Sequence, residues 1–190
     1  MRGVRAAGVI QAALTLASAS PSNVYTMPKT LVLFHGSSND IATLADAVAD
    51  GVRSVRFAEV DVRRLADPGE GAEAGRVRTL GSADELAAYD GLVVGTDGEG
   101  PLPEAVARLL TDAETLRQQK ALGTSVGAAF VAGAKAADAD DARWVLLRAV
   151  GALGLVLVPA SGVGAEAARQ LGHRVAHVVS WITHARSHHH

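Results

Sequence analysis

Cysteine is missing from all 190 residues, and that absence excludes disulfides, thiolate catalysis, iron–sulfur clusters and cysteine-based zinc sites. Charge of one sign is missing too. Eighteen Lys and Arg stand against 20 Asp and Glu, for a formal net charge of −2 and a pI near 6.4. Arg is scattered rather than gathered into a stripe, so neither nucleic acid nor an anionic membrane surface is an expected partner. Aromatic residues are scarce, at 4%. The apolar run 6–17 is interrupted by Gln11 and is too short to span a bilayer. What is present is 48% hydrophobic content, which suits one domain with a sizeable core, since domains commonly hold ~100–200 residues.

The two ends read as lying outside that domain. Residues 1–26 carry Arg2 and Arg5, the apolar run, and the small residues Ser18, Ala19 and Ser20 before Pro21, a pattern that resembles a weak secretory signal. The favoured reading is an extension upstream of a natural start at Met27, because Met27-Pro28-Lys29 leads directly into a strand, as in a cytoplasmic α/β protein. Residues 186–190 end in three histidines and read as a tag remnant, with no metal role. The domain is therefore expected over 27–185.

The most informative stretch runs from Thr30 to Val52. The apolar run Thr30-Leu31-Val32-Leu33-Phe34 breaks into His35-Gly36-Ser37-Ser38-Asn39-Asp40, and Ile41, Leu44, Ala45 and Val48 then recur at helical spacing. That is a buried strand, a polar loop and an amphipathic helix with N-cap residues in place. In an open α/β sheet, such a loop points backbone N–H groups and hydroxyls at a ligand above the strand's carboxyl end, commonly a phosphate. It also serves simply as a capped first crossover.

Beyond it the pattern keeps alternating. The spacing predicts a strand over 55–62, a loop over 66–75, and a short helix opened by the capping box Ser82-Ala83-Asp84-Glu85. A strand over 92–94 follows, then a turn over 95–101, a helix over 103–119 and a small-residue strand over 126–131. A helix over 136–153 carries Trp144, Leu147 and Val150, and a strand over 155–158 leads to a final helix over 165–185 with an apolar stripe of Val175, Val178, Val179 and Ile182. Five apolar strands separated by helices imply a doubly wound parallel α/β sheet with right-handed crossovers.

Several segments, in order, resemble the tryptophan-repressor-binding-protein family of flavodoxin-like, FMN-dependent NAD(P)H:quinone oxidoreductases. They are 31–52, Ser82-Ala83-Asp84-Glu85-Leu86-Ala87-Ala88-Tyr89-Asp90-Gly91-Leu92-Val93-Val94-Gly95-Thr96, 153–159, and Ala168-Arg169-Gln170-Leu171-Gly172-His173-Arg174-Val175-Ala176, and together they cover most of 30–185. The resemblance implies a flavodoxin-like three-layer sandwich, a five-stranded parallel sheet with helices on both faces. It implies FMN held at Gly36, Ser37, Ser38, Asn39, Asp40 and Ile41 for the phosphate, and at Thr96, Asp97, Gly98 and Gly100 for the ring, with Gly133 in a third loop. It also implies NAD(P)H as co-substrate, a quinone as small-molecule electron acceptor, a cytoplasmic setting, and a homo-oligomer. The chemistry of such an enzyme belongs to the flavin ring, so no acid/base dyad is expected. The chain departs from the family in three places, one of them the third loop, where only Gly133-Ala134-Lys135 stands in place of a Gly-rich segment. Asp40 brings a carboxylate to the phosphate loop, and Asp97-Gly98-Glu99-Gly100 replaces a segment that normally carries an Arg and an aromatic residue.

Two readings from other classes stand beside this one. A flavin-free relative would keep the fold as a binding or assembly module, with His35, His173, His177 and His184 as ordinary helix or loop residues. A serine hydrolase would use Gly123-Thr124-Ser125-Val126-Gly127 as a nucleophile elbow, with Asp138, Asp140 or Asp141 as the acid and His173 or His177 as the base.

Overall fold

The structure is a computed structural model, and it describes residues 27–67, 77–97, 101–119, 122–133 and 136–187. The predicted third-loop residues Ala134 and Lys135, the ring-side Gly98 and Gly100, the segment 1–26 and the terminal histidines 188–190 lie outside the described residues. Strands β1 (Lys29–His35), β2 (Glu59–Leu65), β3 (Gly91–Asp97), β4 (Val126–Ala132) and β5 (Val156–Val158) alternate with helices α1 (Asn39–Arg53), α2 (Glu104–Gln118), α3 (Ala136–Gly151) and α4 (Gly164–Ser187). A six-residue 3₁₀ segment, Ala83–Ala88, stands between β2 and β3. All strand pairings are parallel, in the order β2-β1-β3-β4-β5. The chain reverses its direction of travel across the sheet between β1 and β3, which makes their carboxyl ends the topological switch point where ligands of such sheets bind.

Both faces of the three central strands, β1, β3 and β4, are buried. Along β1, Leu31 and Leu33 enter a core with α2 and α3, while Val32 and Phe34 enter a second core with α1 and α4. A strand buried on both sides reads as a continuous apolar run, which is why 30–34 is so legible. The helix pair on the second face meets backbone against backbone. A Cβ on Gly172 would overlap the Val48 carbonyl oxygen, and one on Gly51 would overlap that of Arg169. Glycine is needed at these two positions by close approach. Gly95 plays the same part within the sheet, where the Phe130 ring lies across it.

Several boundaries differ from expectation. The second strand starts at Glu59 rather than Val55, because α1 runs on to Arg53 and the chain then turns through Phe57 at φ 64°. Nor is it an apolar strand: it is an edge, and Asp61 and Arg63 on its α2 side are tied to Tyr89 and Glu85. Gly95, Thr96 and Asp97 belong to β3 rather than to a turn, since β4 pairs with all three and β1 with the first two. Trp144 does not contribute to the core; it is 59% exposed on α3. Among the described residues no helix is long and apolar enough to cross a membrane.

Candidate flavin site at the β1–β3 carboxyl ends

The site is assembled by the ends of β1 and β3 and by the first turn of α1. His35 pairs with Thr96 at the last rung of the β1–β3 ladder. Gly36 then turns the chain at φ 132°, where other residues are strained. Ser38 takes an extended N-cap conformation and its Oγ accepts the Ile41 N–H at 3.2 Å. Ile41 itself is fully buried, so it contributes an amide and an anchor rather than a side chain to the site. Ser37, Ser38, Asn39 and Asp40 are exposed, with Asp40 in the first helical turn, where a carboxylate complements the helix dipole.

Asp97 decides the character of the loop. It follows Gly95 on the α1 side of β3, and its carboxylate reaches across the strand ends to α1. Ser38 Oγ donates to Asp97 Oδ1 at 2.5 Å. The same carboxylate lies so close over Gly36 that a Cβ there would overlap Oδ2. Ser38 therefore has its single proton committed to Asp97 while its oxygen caps α1. Around this contact the Arg64 guanidinium donates to the Gly36 carbonyl at 3.4 Å, and His35 Nε2 bonds Asp67 Oδ1 at 2.9 Å.

Of the residues expected at the flavin, Gly36, Ser38 and Asp97 come together directly. Ser37, Asn39 and Asp40 share their loop. Thr96 is 5% exposed and points to the opposite face of β3 from Asp97. Gly133 stands one strand further on, at the end of β4, with φ 75° and open space around it. With Asp97 seated over Gly36 the donor set does not fit a phosphate dianion: the hydroxyl's proton is taken and two carboxylates, Asp40 and Asp97, border the loop.

The hydrolase geometry is not formed. Ser125 precedes β4 and bonds the Asp90 carbonyl through its N–H and its Oγ, at 2.8 and 3.2 Å. A nucleophile elbow needs the serine just after a strand, at its carboxyl end. Asp140, near the start of α3, is paired with Arg143 and stands at the far end of the seven-residue β4. His173 Nδ1 bonds Ser54 Oγ at 2.9 Å and its ring meets His177 edge-on, in a shallow depression of about 330 Å³ between the end of α1 and α4. Among the described residues no cluster of potential metal ligands is present.

Comparison with known proteins agrees with the α/β fold. Curated relatives include the NAD(P)H dehydrogenase (quinone) of Rhodopseudomonas palustris strain BisA53, 36% identical over 116 residues that cover 57% of this chain and 58% of that protein. Those of Nitrobacter winogradskyi and Acidithiobacillus ferrooxidans are 37% and 34% identical over the same shares. The match thus spans well under two thirds of the length of these relatives. Among solved structures, a short-chain flavodoxin associated with a PDU bacterial microcompartment superposes with a TM-score of 0.56 at 14% identity, covering 83% of this chain and 99% of its own. A flavodoxin from the domain Archaea does so with 0.50 at 16% identity, covering 80% of this chain and 99% of its own. The fold is flavodoxin-like. No family model matches the chain.

Proposed function

We propose that residues 27–185 form a flavodoxin-like flavin oxidoreductase that passes reducing equivalents from NAD(P)H to a quinone, with flavin bound above the carboxyl ends of β1 and β3. The observation that carries this reading is the topological switch point between β1 and β3, with the capped first turn of α1 at Ser38 beside it. It is supported by the relatives named NAD(P)H dehydrogenase (quinone) and by the flavodoxin fold. In this reading the tail of the flavin lies along the first loop at Gly36, Ser37, Ser38, Asn39, Asp40 and Ile41, the end of β3 borders the ring, and Gly133 lines the rim. A cytoplasmic setting and self-association belong to the same reading.

The test is a titration of FMN, and separately of riboflavin, into the purified protein while flavin fluorescence is followed, then an assay of NAD(P)H oxidation with and without a quinone. The reading expects saturable quenching and oxidation that requires both flavin and quinone. A colourless protein that leaves the fluorescence of both FMN and riboflavin unchanged removes it. The observation that favours a second reading, a flavin-free module on the same fold, is the Ser38–Asp97 contact, which satisfies the loop from within.

A further inference from the structure

We infer that Asp97 is a specificity-determining residue of the switch point: its carboxylate holds the anion position of the first loop and sets phosphate-free flavin against phosphate-bearing flavin. The inference rests on the flavin reading above but concerns a narrower point, the charge of the ligand's tail.

Three observations converge on it. The carboxylate lies over Gly36, in space that a single Cβ would fill, so a ligand phosphate and the Asp97 side chain exclude one another there. The one side-chain proton that the N-cap offers is already donated to Asp97. And the loop's remaining charged groups do not reverse the sign. Asp40 is exposed on the same turn, His35 is engaged by Asp67, and Arg64 is turned to the Gly36 carbonyl. A dianion entering this loop must break the Ser38–Asp97 hydrogen bond and then lie beside a displaced carboxylate, and like charges at such separations repel strongly in a partly desolvated site. A ligand whose tail is an uncharged polyol meets neither cost, because a hydroxyl donates to Asp97 as readily as Ser38 does.

The experiment compares riboflavin and FMN binding to the wild type, Asp97→Asn and Asp97→Ser, by quenching of flavin fluorescence. Thermal unfolding in inorganic phosphate is the second measurement, and circular dichroism checks that each variant is folded. In the wild type riboflavin is expected to bind at least as well as FMN. In Asp97→Asn the FMN affinity should rise at least tenfold while that for riboflavin changes less than threefold, and phosphate should raise the Tm of the variant and not of the wild type. Equal shifts for the two flavins, or a wild type that already prefers FMN by tenfold or more, overturn the inference and leave the flavin reading standing. If no protein binds either flavin, the flavin reading falls, and phosphate alone decides: a Tm rise confined to the Asp97 variants supports the role of Asp97, and its absence ends it. Asp97→Ser repeats each comparison with a side chain too short to fill the same space.

Discussion

The two ends of α1 are held in different ways. Its carboxyl half is locked by close approach, with Gly51 against the Arg169 carbonyl and the buried Val48 against Gly172 of α4. Its amino end is held by polar contacts at the surface: Ser38 to Ile41 N–H, and Ser38 to Asp97. Packing of the first kind leaves no room for another residue, whereas contacts of the second kind are exchangeable one side chain at a time. A fold can therefore persist while its loop chemistry changes, and in the proposed reading Asp97 places a carboxylate at the anion position of the first loop.

The largest expected effect breaks the locked end. Gly172→Val should cost at least about 3 kcal/mol, at the upper range for overpacking, because the intruding group meets backbone rather than a yielding side chain. Urea and thermal unfolding measure it, and a loss under about 1 kcal/mol would mean that the helices slide apart without penalty.

Next comes the polar tie of the edge strand. Tyr89 donates to Asp61 at 2.6 Å and accepts from Arg63 at 3.1 Å, and Lys29 pairs with Asp61 at 3.2 Å. Tyr89→Phe leaves Asp61 and Arg63 with a lost partner each, and should cost about 1–3 kcal/mol. The wild type also carries a pH signature. The Tyr89 hydroxyl, outweighing burial, and then Lys29 hold Asp61 below its ordinary 3.8. The stability this contributes is present above about pH 4 and is lost as pH falls through the lower folded value. Burial, followed by the Asp61 hydrogen bond, pushes Tyr89 up to about 12 from 10.0, so its contribution is full below pH 10 and is lost as pH rises toward 12. Unfolding free energies measured across both windows should flatten in Tyr89→Phe at the alkaline end and weaken at the acid end; an unchanged profile would remove Tyr89 from the account.

At the exchangeable end, effects on stability should be smaller. Ser38→Ala removes the cap and should cost about 1 kcal/mol, while releasing Asp97 from its donor. Asp40→Asn, on an exposed first turn, should change stability by about 0.5 kcal/mol or less. Denaturant midpoints resolve both, and an Asp40 effect larger than that of Ser38 would invert the roles assigned to them.

What was legible in the sequence follows the same division. The two-sided burial of β1 and the capping box at Ser82 follow from local pattern and were read correctly. β2 was misplaced because an edge strand tied through Asp61 and Arg63 shows charge where a buried strand shows apolar residues. Gly95-Thr96-Asp97 looks like a turn by composition, yet strands on both sides pair it into the sheet. Helical spacing placed Trp144 on α3 beside core residues, although nothing in a single helix's pattern says which side its neighbours leave open. Asp97 stood among the candidates as a ring-side residue, but its hold on Ser38 joins positions 59 residues apart, and no local signal reports such a contact.

The most direct test of the account is a map of amide chemical shifts in the ¹⁵N-labelled protein as riboflavin and then FMN are added. The largest changes are expected at Gly36–Ile41 and at Thr96 and Asp97, with riboflavin producing them at concentrations no higher than FMN requires. Changes centred instead on Ser54, His173 and Arg174 beside α4, or none at either flavin, would contradict a flavin site at the β1–β3 carboxyl ends.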